Sequence, residues 1–297
     1  MTCGDDLPDE AGLTMHNALR WAIPLLVAAG VESPRLDAEL LLGHVLSRNR
    51  AQLLAHRDDV LETDQARRYA ALVRRRIAHE PVAYILGHRA FYDVDLLVDR
   101  RVLIPRPETE HLVDDALDWA RRLGGEARWR VADVGTGSGA LAVTLARHLP
   151  SARIWAVDRS FEALQVAAAN ISRYGLGARV LPLCGDLLMP LSGPLDLVVA
   201  NLPYVRTDEV NDLAADIVAY EPQMALDGGA DGLDLIQRLL PQAAERMGVP
   251  GLLLLELDPR QADDTADLAR RYFPYADVTV LYDYAGHERV VRVALDG

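Results

Sequence analysis

Four consecutive residues, Asn201-Leu202-Pro203-Tyr204, are the types needed to receive a planar –NH2 group. The Asn201 side chain carries a carbonyl acceptor, the Leu202 carbonyl precedes a proline with no N–H of its own, and Tyr204 offers a flat aromatic face. An amide or amino nitrogen is a poor nucleophile because its lone pair is delocalised into the adjoining π system. Two acceptors that each take one N–H, the Asn201 side-chain oxygen and the Leu202 carbonyl, would favour the pyramidal form and aim the lone pair at an electrophile. Tyr204 would stack on the flat group. A turn that simply ends a strand uses the same residue types, so these four residues alone leave both readings open.

Upstream, Val131-Ala132-Asp133-Val134-Gly135-Thr136-Gly137-Ser138-Gly139 leads into the apolar stretch 140–146, the order strand, glycine turn, helix. The glycines permit a tight turn and let the backbone approach a ligand with no Cβ in the way. A second strand pattern ends at Asp158, nineteen residues past Gly139, where a carboxylate can accept both ribose hydroxyl hydrogens, with Arg159 beside it. Gly135, Gly137 and Ala140 also fit the dinucleotide fingerprint of an oxidoreductase. Asp133 argues otherwise: two residues before the first glycine, its charge would repel a pyrophosphate and attract the ammonium of an amino-acid moiety. That favours S-adenosyl-L-methionine over NAD.

Positioning these groups requires an α/β scaffold. Residues 13–80 carry helical spacing with few strand signals, Ser33-Pro34 reads as an N-cap and first helical residue, and Leu36, Leu40, Leu41 and Val45 recur on one expected face. Residues 90–104 alternate as a hairpin would, and 108–123 return to helical period. Strands centred on 131, 155, 181, 197, 254, 279 and 291 alternate with helical segments, which predicts a mostly parallel sheet with helices on both faces. The last two, separated by 283–287, are expected to pair antiparallel at an edge.

With Asp133, the 135–139 loop, Asp158 and 201–204 in this order, the chain resembles the class I methyltransferases that modify planar nitrogens. Among these it is similar to the HemK/PrmC family, the peptide chain release factor N5-glutamine methyltransferases. The likeness extends to Pro81-Val82-Ala83-Tyr84-Ile85-Leu86-Gly87, Val102-Leu103-Ile104-Pro105-Arg106-Pro107-Glu108-Thr109-Glu110, Tyr220-Glu221-Pro222 and Asp283-Tyr284-Ala285-Gly286-His287-Glu288-Arg289. The resemblance implies a Rossmann-like, seven-stranded, mostly parallel S-adenosylmethionine-dependent methyltransferase domain over 107–297. It implies a small N-terminal helical bundle over 1–82 for substrate recognition, and a β-hairpin linker over 83–106. It also implies methyl transfer to the side-chain amide nitrogen of the glutamine in the Gly-Gly-Gln motif of class I release factors, by direct displacement without a covalent enzyme intermediate. By the same resemblance Arg106, Pro107, Glu108 and Thr109 would lie near the cofactor and substrate mouth, and Asp186 and Leu187 would complete the cofactor site, the first at the adenine amino group and the second over one ring face, although a capped helix start explains Glu108 and Thr109 nearly as well. Glu221 reads as either a loop-orienting carboxylate or a surface charge. The family usually has Asn-Pro-Pro-Tyr where this chain has Leu202, and often an aromatic where it has Leu187; neither change removes a catalytic group.

Composition narrows the alternatives. The 297 residues are half hydrophobic and carry a net charge of −13, from 31 basic and 44 acidic side chains, the opposite of the basic footprint that phosphate binding demands. An adenine or other amino methyltransferase of DNA or RNA, which could use the same Asn-x-Pro-Tyr receptor, is therefore the weaker expectation. The one basic cluster, Arg67, Arg68 and Arg74-Arg75-Arg76, reads as a solvated helix face. A non-catalytic adaptor would have no evident need for the amide receptor. Two cysteines, Cys3 and Cys184, the latter in a strand expected to be buried, give neither a disulfide framework nor a metal spacing. With no apolar run near membrane-span length, the expectations are a cytoplasmic protein with no metal and no membrane contact.

Overall fold

The computed structural model describes residues 12–124 and 128–296, so Cys3 lies outside the described residues. The chain divides into two units, one running through Gly87 and including Ala214–Tyr220, the other formed by His88–Leu213 and Glu221–Gly297.

In the first unit, α1 (Met15–Ala28), α2 (Pro34–Leu46), α3 (Arg50–Ala55), α4 (Thr63–Ile77) and α5 (Val82–Leu86) contribute apolar side chains to one core. Their ends are set by side chains competing for free backbone groups. Thr14 Oγ1 accepts from Asn17 N, and Asn49 and Gln52 cap each other reciprocally. Leu26, Leu41, Leu42 and Tyr69 fill the core. The expected face of α2 is rotated: Leu36 and Leu40 are exposed, whereas Asp37, Ala38, Leu41 and Leu42 face inward. Asp37 is drawn in by Arg76, whose Nε donates to Asp37 Oδ2 at 2.7 Å with both side chains buried, a partnership no spacing within α2 could announce. The arginines of α4 are not a bare cationic face. Arg68 pairs with Asp64, Arg75 with Glu80, Arg76 with Asp37 and Asp216, and Arg67 and Arg74 also have partners.

The second unit opens with a hairpin, β1 (His88–Phe91) and β2 (Val94–Leu97), followed by α6 (Glu110–Arg122), β3 (Arg130–Val134), α7 (Ala140–His148), β4 (Arg153–Asp158), α8 (Phe161–Arg173), β5 (Val180–Cys184) and β6 (Leu195–Asn201). After α9 (Ala215–Tyr220), which clusters with the first unit, come α10 (Asp234–Arg246), β7 (Met247–Glu256), α11 (Ala262–Tyr272), β8 (Asp277–Tyr282) and β9 (Glu288–Leu295). All seven expected strands form one sheet in the order β5-β4-β3-β6-β7-β9-β8. It is parallel except for β9, which runs antiparallel to both β7 and β8. One face is covered by Leu112, Trp119 and Leu145, the other by Ile236, Leu239 and Phe273. Burial on both faces is why β3, β6 and β7 read as continuous apolar runs.

Two local expectations shift. The hairpin ends at Leu97 rather than near 104, because Asp99 turns the chain by accepting from Arg101 N at 3.0 Å and Pro105 and Pro107 have no N–H for a ladder. The hairpin packs as part of its own unit: Asn170 accepts from Leu97 N at 2.8 Å and donates to Leu97 O at 3.0 Å and Ser138 O at 2.9 Å. Cys184, expected to be buried, is exposed, since β5 is an edge strand and Cys184 is its last residue.

Candidate functional site

In an open parallel sheet the strand ends gather at the carboxyl edge, and ligands bind where the strand order reverses, here between β3 and β6. A cavity of about 1070 Å³ lies there, wholly within the second unit. Asp133, Gly135, Thr136, Gly137, Ser138, Asp158, Arg159, Asp186, Leu187, Asn201, Leu202 and Pro203 all line it. Arg106 and Thr109, also anticipated at its mouth, line it too, whereas Pro107, Glu108, Gly139 and Tyr204 do not.

The first wall is the turn after β3. Asp133 is buried, and its Oδ2 accepts from Thr136 Oγ1 at 2.6 Å and Ala142 N at 3.0 Å, so this carboxylate ties the turn to the first residues of α7. Burial pushes its pKa up to about 7, with those two hydrogen bonds and the nearby Asp158 charge as smaller influences. Gly135 has φ +77° and lies so close to Leu202 that a Cβ would meet Cδ2 at 3.1 Å, so this glycine allows the two loops to meet. Gly139, φ +82°, caps α7, where a Cβ would press on Ala167 at 3.4 Å; it serves helix packing rather than the cavity. At the end of β4, Asp158 Oδ2 accepts from Gly137 N at 2.9 Å and Oδ1 from Ser160 N at 2.8 Å. Each oxygen retains a lone pair for a further donor. Burial raises the pKa of Asp158, with those backbone bonds opposing it.

The far wall differs from the simplest expectation. The Asp186 carboxylate, anticipated against an adenine amino group, is ion-paired with Arg238, another cavity-lining side chain. Leu187 is buried with φ +52°, a left-handed backbone that a leucine adopts only where its surroundings enforce it.

The tetrapeptide is held from several directions. Asn201 ends β6 and its Nδ2 donates to Thr109 Oγ1 at 2.9 Å, which leaves Oδ1 as the acceptor of a cavity-lining amide. Thr109 therefore serves this contact and makes no side-chain cap to α6. Leu202 is buried among the residues covering the sheet. Tyr204 is half-buried and not a lining residue of the cavity; its carbonyl accepts from Gln261 Nε2 at 2.9 Å, and burial raises its hydroxyl pKa. Glu221 is an orienting carboxylate: its side chain is 2 % exposed, Oε1 accepts from Arg106 Nη2 at 2.7 Å and Oε2 from Ile104 N at 3.3 Å. Sequence reasoning did not find Glu256, which is Asn201's register partner on β7 and almost fully buried. The signal was present, a lone carboxylate closing the run Leu252-Leu253-Leu254-Leu255. Among the described residues, no group of three or more His, Cys, Asp or Glu side chains has metal-site geometry, and no helix is long and apolar enough to cross a membrane.

Comparison with known proteins bears on family and fold. The PrmC N-terminal domain family matches residues 17–87, and the methyltransferase small domain family matches residues 119–230. The release factor glutamine methyltransferase of Moorella thermoacetica is 45% identical over 278 residues, 93% of this chain and 97% of that protein. The protein of the same name from Deinococcus radiodurans is 40% identical over 285 residues, 96% of this chain and all of its own length. Among solved structures, the human Mettl16 catalytic domain, crystallised with an RNA hairpin, superposes with a TM-score of 0.52 at 16% identity over 68% of this chain and 74% of that one. At that identity the likeness is one of fold.

Proposed function

The chain belongs to the release factor glutamine methyltransferase family, and from that premise we propose that it transfers a methyl group from S-adenosyl-L-methionine to the side-chain amide nitrogen of the Gly-Gly-Gln glutamine in class I release factors. The observation that carries the atom assignment is the Asn201 amide, pinned through Nδ2 to Thr109 so that an acceptor is left for a substrate N–H at the cavity wall.

The residues present suit the cofactor. The glycine turn admits close backbone approach, Asp158 keeps lone pairs for ribose hydroxyls, and Asp133 offers Oδ1 to an ammonium because the recorded bonds use Oδ2. When bound, S-adenosyl-L-methionine would supply an electrophilic methyl group on a sulfonium, the methyl–sulfur bond breaking as the nitrogen–methyl bond forms, with S-adenosyl-L-homocysteine as the product. Leu187 provides apolar cover, and Arg159 lies beside Asp158 on the rim. Asp186, engaged by Arg238, would meet an adenine as an ion pair rather than as a free carboxylate.

Catalysis then rests on orientation and charge. The Asn201 side-chain oxygen and the Leu202 carbonyl each accept one N–H of the glutamine amide, which turns its lone pair out of conjugation. Positive charge grows on that nitrogen as the new bond forms, so these carbonyl dipoles bind the transition state better than the ground state. Pro203 stiffens the turn, and Tyr204 offers the aromatic face that would stack on the flat substrate group, its backbone held by Gln261. Arg106 and Glu221 brace the loop that follows. No strong base is needed, because an N-alkylated amide cation loses its proton readily.

Further parts of the proposal are substrate recognition by the N-terminal helical bundle expected over 1–82, no stable nucleic-acid binding, and a cytoplasmic location. The net charge of −13 and the pairing of the α4 arginines support the second. The test is incubation with S-adenosylmethionine and a purified class I release factor, followed by peptide mass spectrometry. A methyl on the Gly-Gly-Gln glutamine is expected. Its absence, with cofactor binding demonstrated, would overturn the substrate assignment.

A further inference from the structure

Behind Asn201, on the side away from the cavity, sits a carboxylate with no evident structural task. Glu256 is 1 % exposed, and its Oε2 has no hydrogen-bond partner. A buried acceptor left this way is costly, so it needs an explanation. The parallel register of β6 and β7 places Glu256 directly beside Asn201. Thr109, whose Oγ1 receives the Asn201 Nδ2–H at 2.9 Å, is 5 % exposed and faces the same carboxylate. Glu256 does not line the cavity, so it cannot touch the reacting atoms.

We propose that ionised Glu256 is the positioning residue of the amide receptor, an acceptor for the inward N–H and O–H groups of Asn201 and Thr109 that keeps Asn201 Oδ1 turned to the substrate. The inference rests on the reading of Asn201 as the amide receptor and deepens it. An Asn side chain has two nearly isosteric orientations, and only one presents oxygen to the cavity. A carboxylate behind it selects that orientation, because it accepts from Nδ2 and repels Oδ1. Protonation reverses the selection, since the new O–H seeks an acceptor and Asn201 Oδ1 is within the same cluster.

Glu256 is placed to change state near neutrality. Burial pushes its pKa up to about 7; Thr109, Arg289 and Asn201 pull it down, and Glu108 pushes it up. The charged and titratable groups around it are Glu108 before α6, Tyr204 after β6, Asp258 after β7, Arg289 on β9, and Arg106 toward Tyr204. Arg289 is shared with Asp283, to which its Nη2 donates at 3.2 Å, so it does not neutralise Glu256 alone.

The experiment measures single-turnover methyl transfer at saturating cofactor and release factor from pH 5.5 to 8.5, for wild type and for Glu256→Gln. Wild type should rise at least tenfold through a midpoint near 7. Glu256→Gln, which keeps a donor facing Asn201, should be slowed at least tenfold at pH 8 and show no such limb, while its cofactor dissociation constant changes little and its melting temperature does not fall. Glu256→Asp should restore the limb. In parallel, the ¹⁵N side-chain amide resonance of Asn201 in the free protein should shift with the same midpoint in wild type and stay fixed in Glu256→Gln. A flat wild-type profile together with an Asn201 signal insensitive to pH would overturn the proposal. So would a folded Glu256→Gln protein with undiminished transfer. If no methyl reaches a release factor from wild type, the function reading fails while the resonance titration still decides this one.

Discussion

Replacing Asp133 with Asn tests whether the carboxylate at the head of the glycine turn is kept for a ligand at the expense of the fold. Asp133 is 1 % exposed, and burial raises its pKa from 3.8 to about 7. Between those values the folded protein holds a proton that the unfolded chain has released, so stability falls as pH rises through the window. At about 1.4 kcal/mol per pH unit, the ionised group costs roughly 4 kcal/mol at pH 8. An Asn at this position still accepts from Thr136 and Ala142 through its oxygen, and its unpaired NH2 resembles the unpaired O–H of the protonated acid. At pH 5 the two proteins should therefore agree within about 1 kcal/mol, and at pH 8 the variant should be the more stable by roughly 2 to 4 kcal/mol. Denaturant titrations at pH 5, 6.5 and 8, followed by the emission of Trp119, Trp129 and Trp155 in the same unit, measure this. Glu256 contributes a slope of the same sign to both proteins, so the difference between the curves is the quantity to read. Cofactor affinity should move the other way: wild type binds more tightly as pH rises through 7, while Asp133→Asn binds weakly and without that dependence. Stability curves that run parallel from pH 5 to 8, or a variant less stable at pH 8, would refute the reasoning.

Asn201→Ala should abolish methyl transfer while largely preserving cofactor affinity; calorimetry beside a turnover assay checks it, and unchanged turnover would sink the role. Asp158→Ala should weaken the cofactor by roughly 1 to 3 kcal/mol through lost hydrogen bonds, and an unaltered dissociation constant would reject the ribose assignment. Arg106→Ala removes the ion pair of the buried Glu221 carboxylate and leaves it its other bonds, among them that from Ile104 N, so thermal denaturation should show a loss of roughly 1 to 3 kcal/mol, with Glu221→Gln in the same background recovering part of it.

What was legible in the sequence is what local chemistry dictates. The glycine turn after β3, the acidic end of β4 and the Asn-Leu-Pro-Tyr run after β6 each announce themselves within a few residues, because backbone conformation and strand burial depend on near neighbours. The same locality makes the succession of strands and helices along the chain readable, and a short connection announces the antiparallel pair at the end, whereas the order of the strands across the sheet was not legible. It fails where distant chain segments compete. Leu36 and Leu40 carry the right period yet face outward, because Arg76 draws Asp37 inward from another helix. Thr109 looks like a helix start and instead holds Asn201, 92 residues away. Glu221 was equally readable as a surface charge until Ile104 and Arg106 closed on it. Residues 214–220 follow the Asn201 loop in sequence but pack with the helical unit, where Tyr220 Oη donates to Ala78 O at 2.8 Å. The sequence thus determined which chemical groups stand at the strand ends and what ligand they suit. Tertiary structure alone decided which stay free to act and which are spent on one another, because hydrogen bonds and desolvation depend on distance in space, and parallel strands such as β6 and β7 bring Asn201 and Glu256 together across 55 residues of chain.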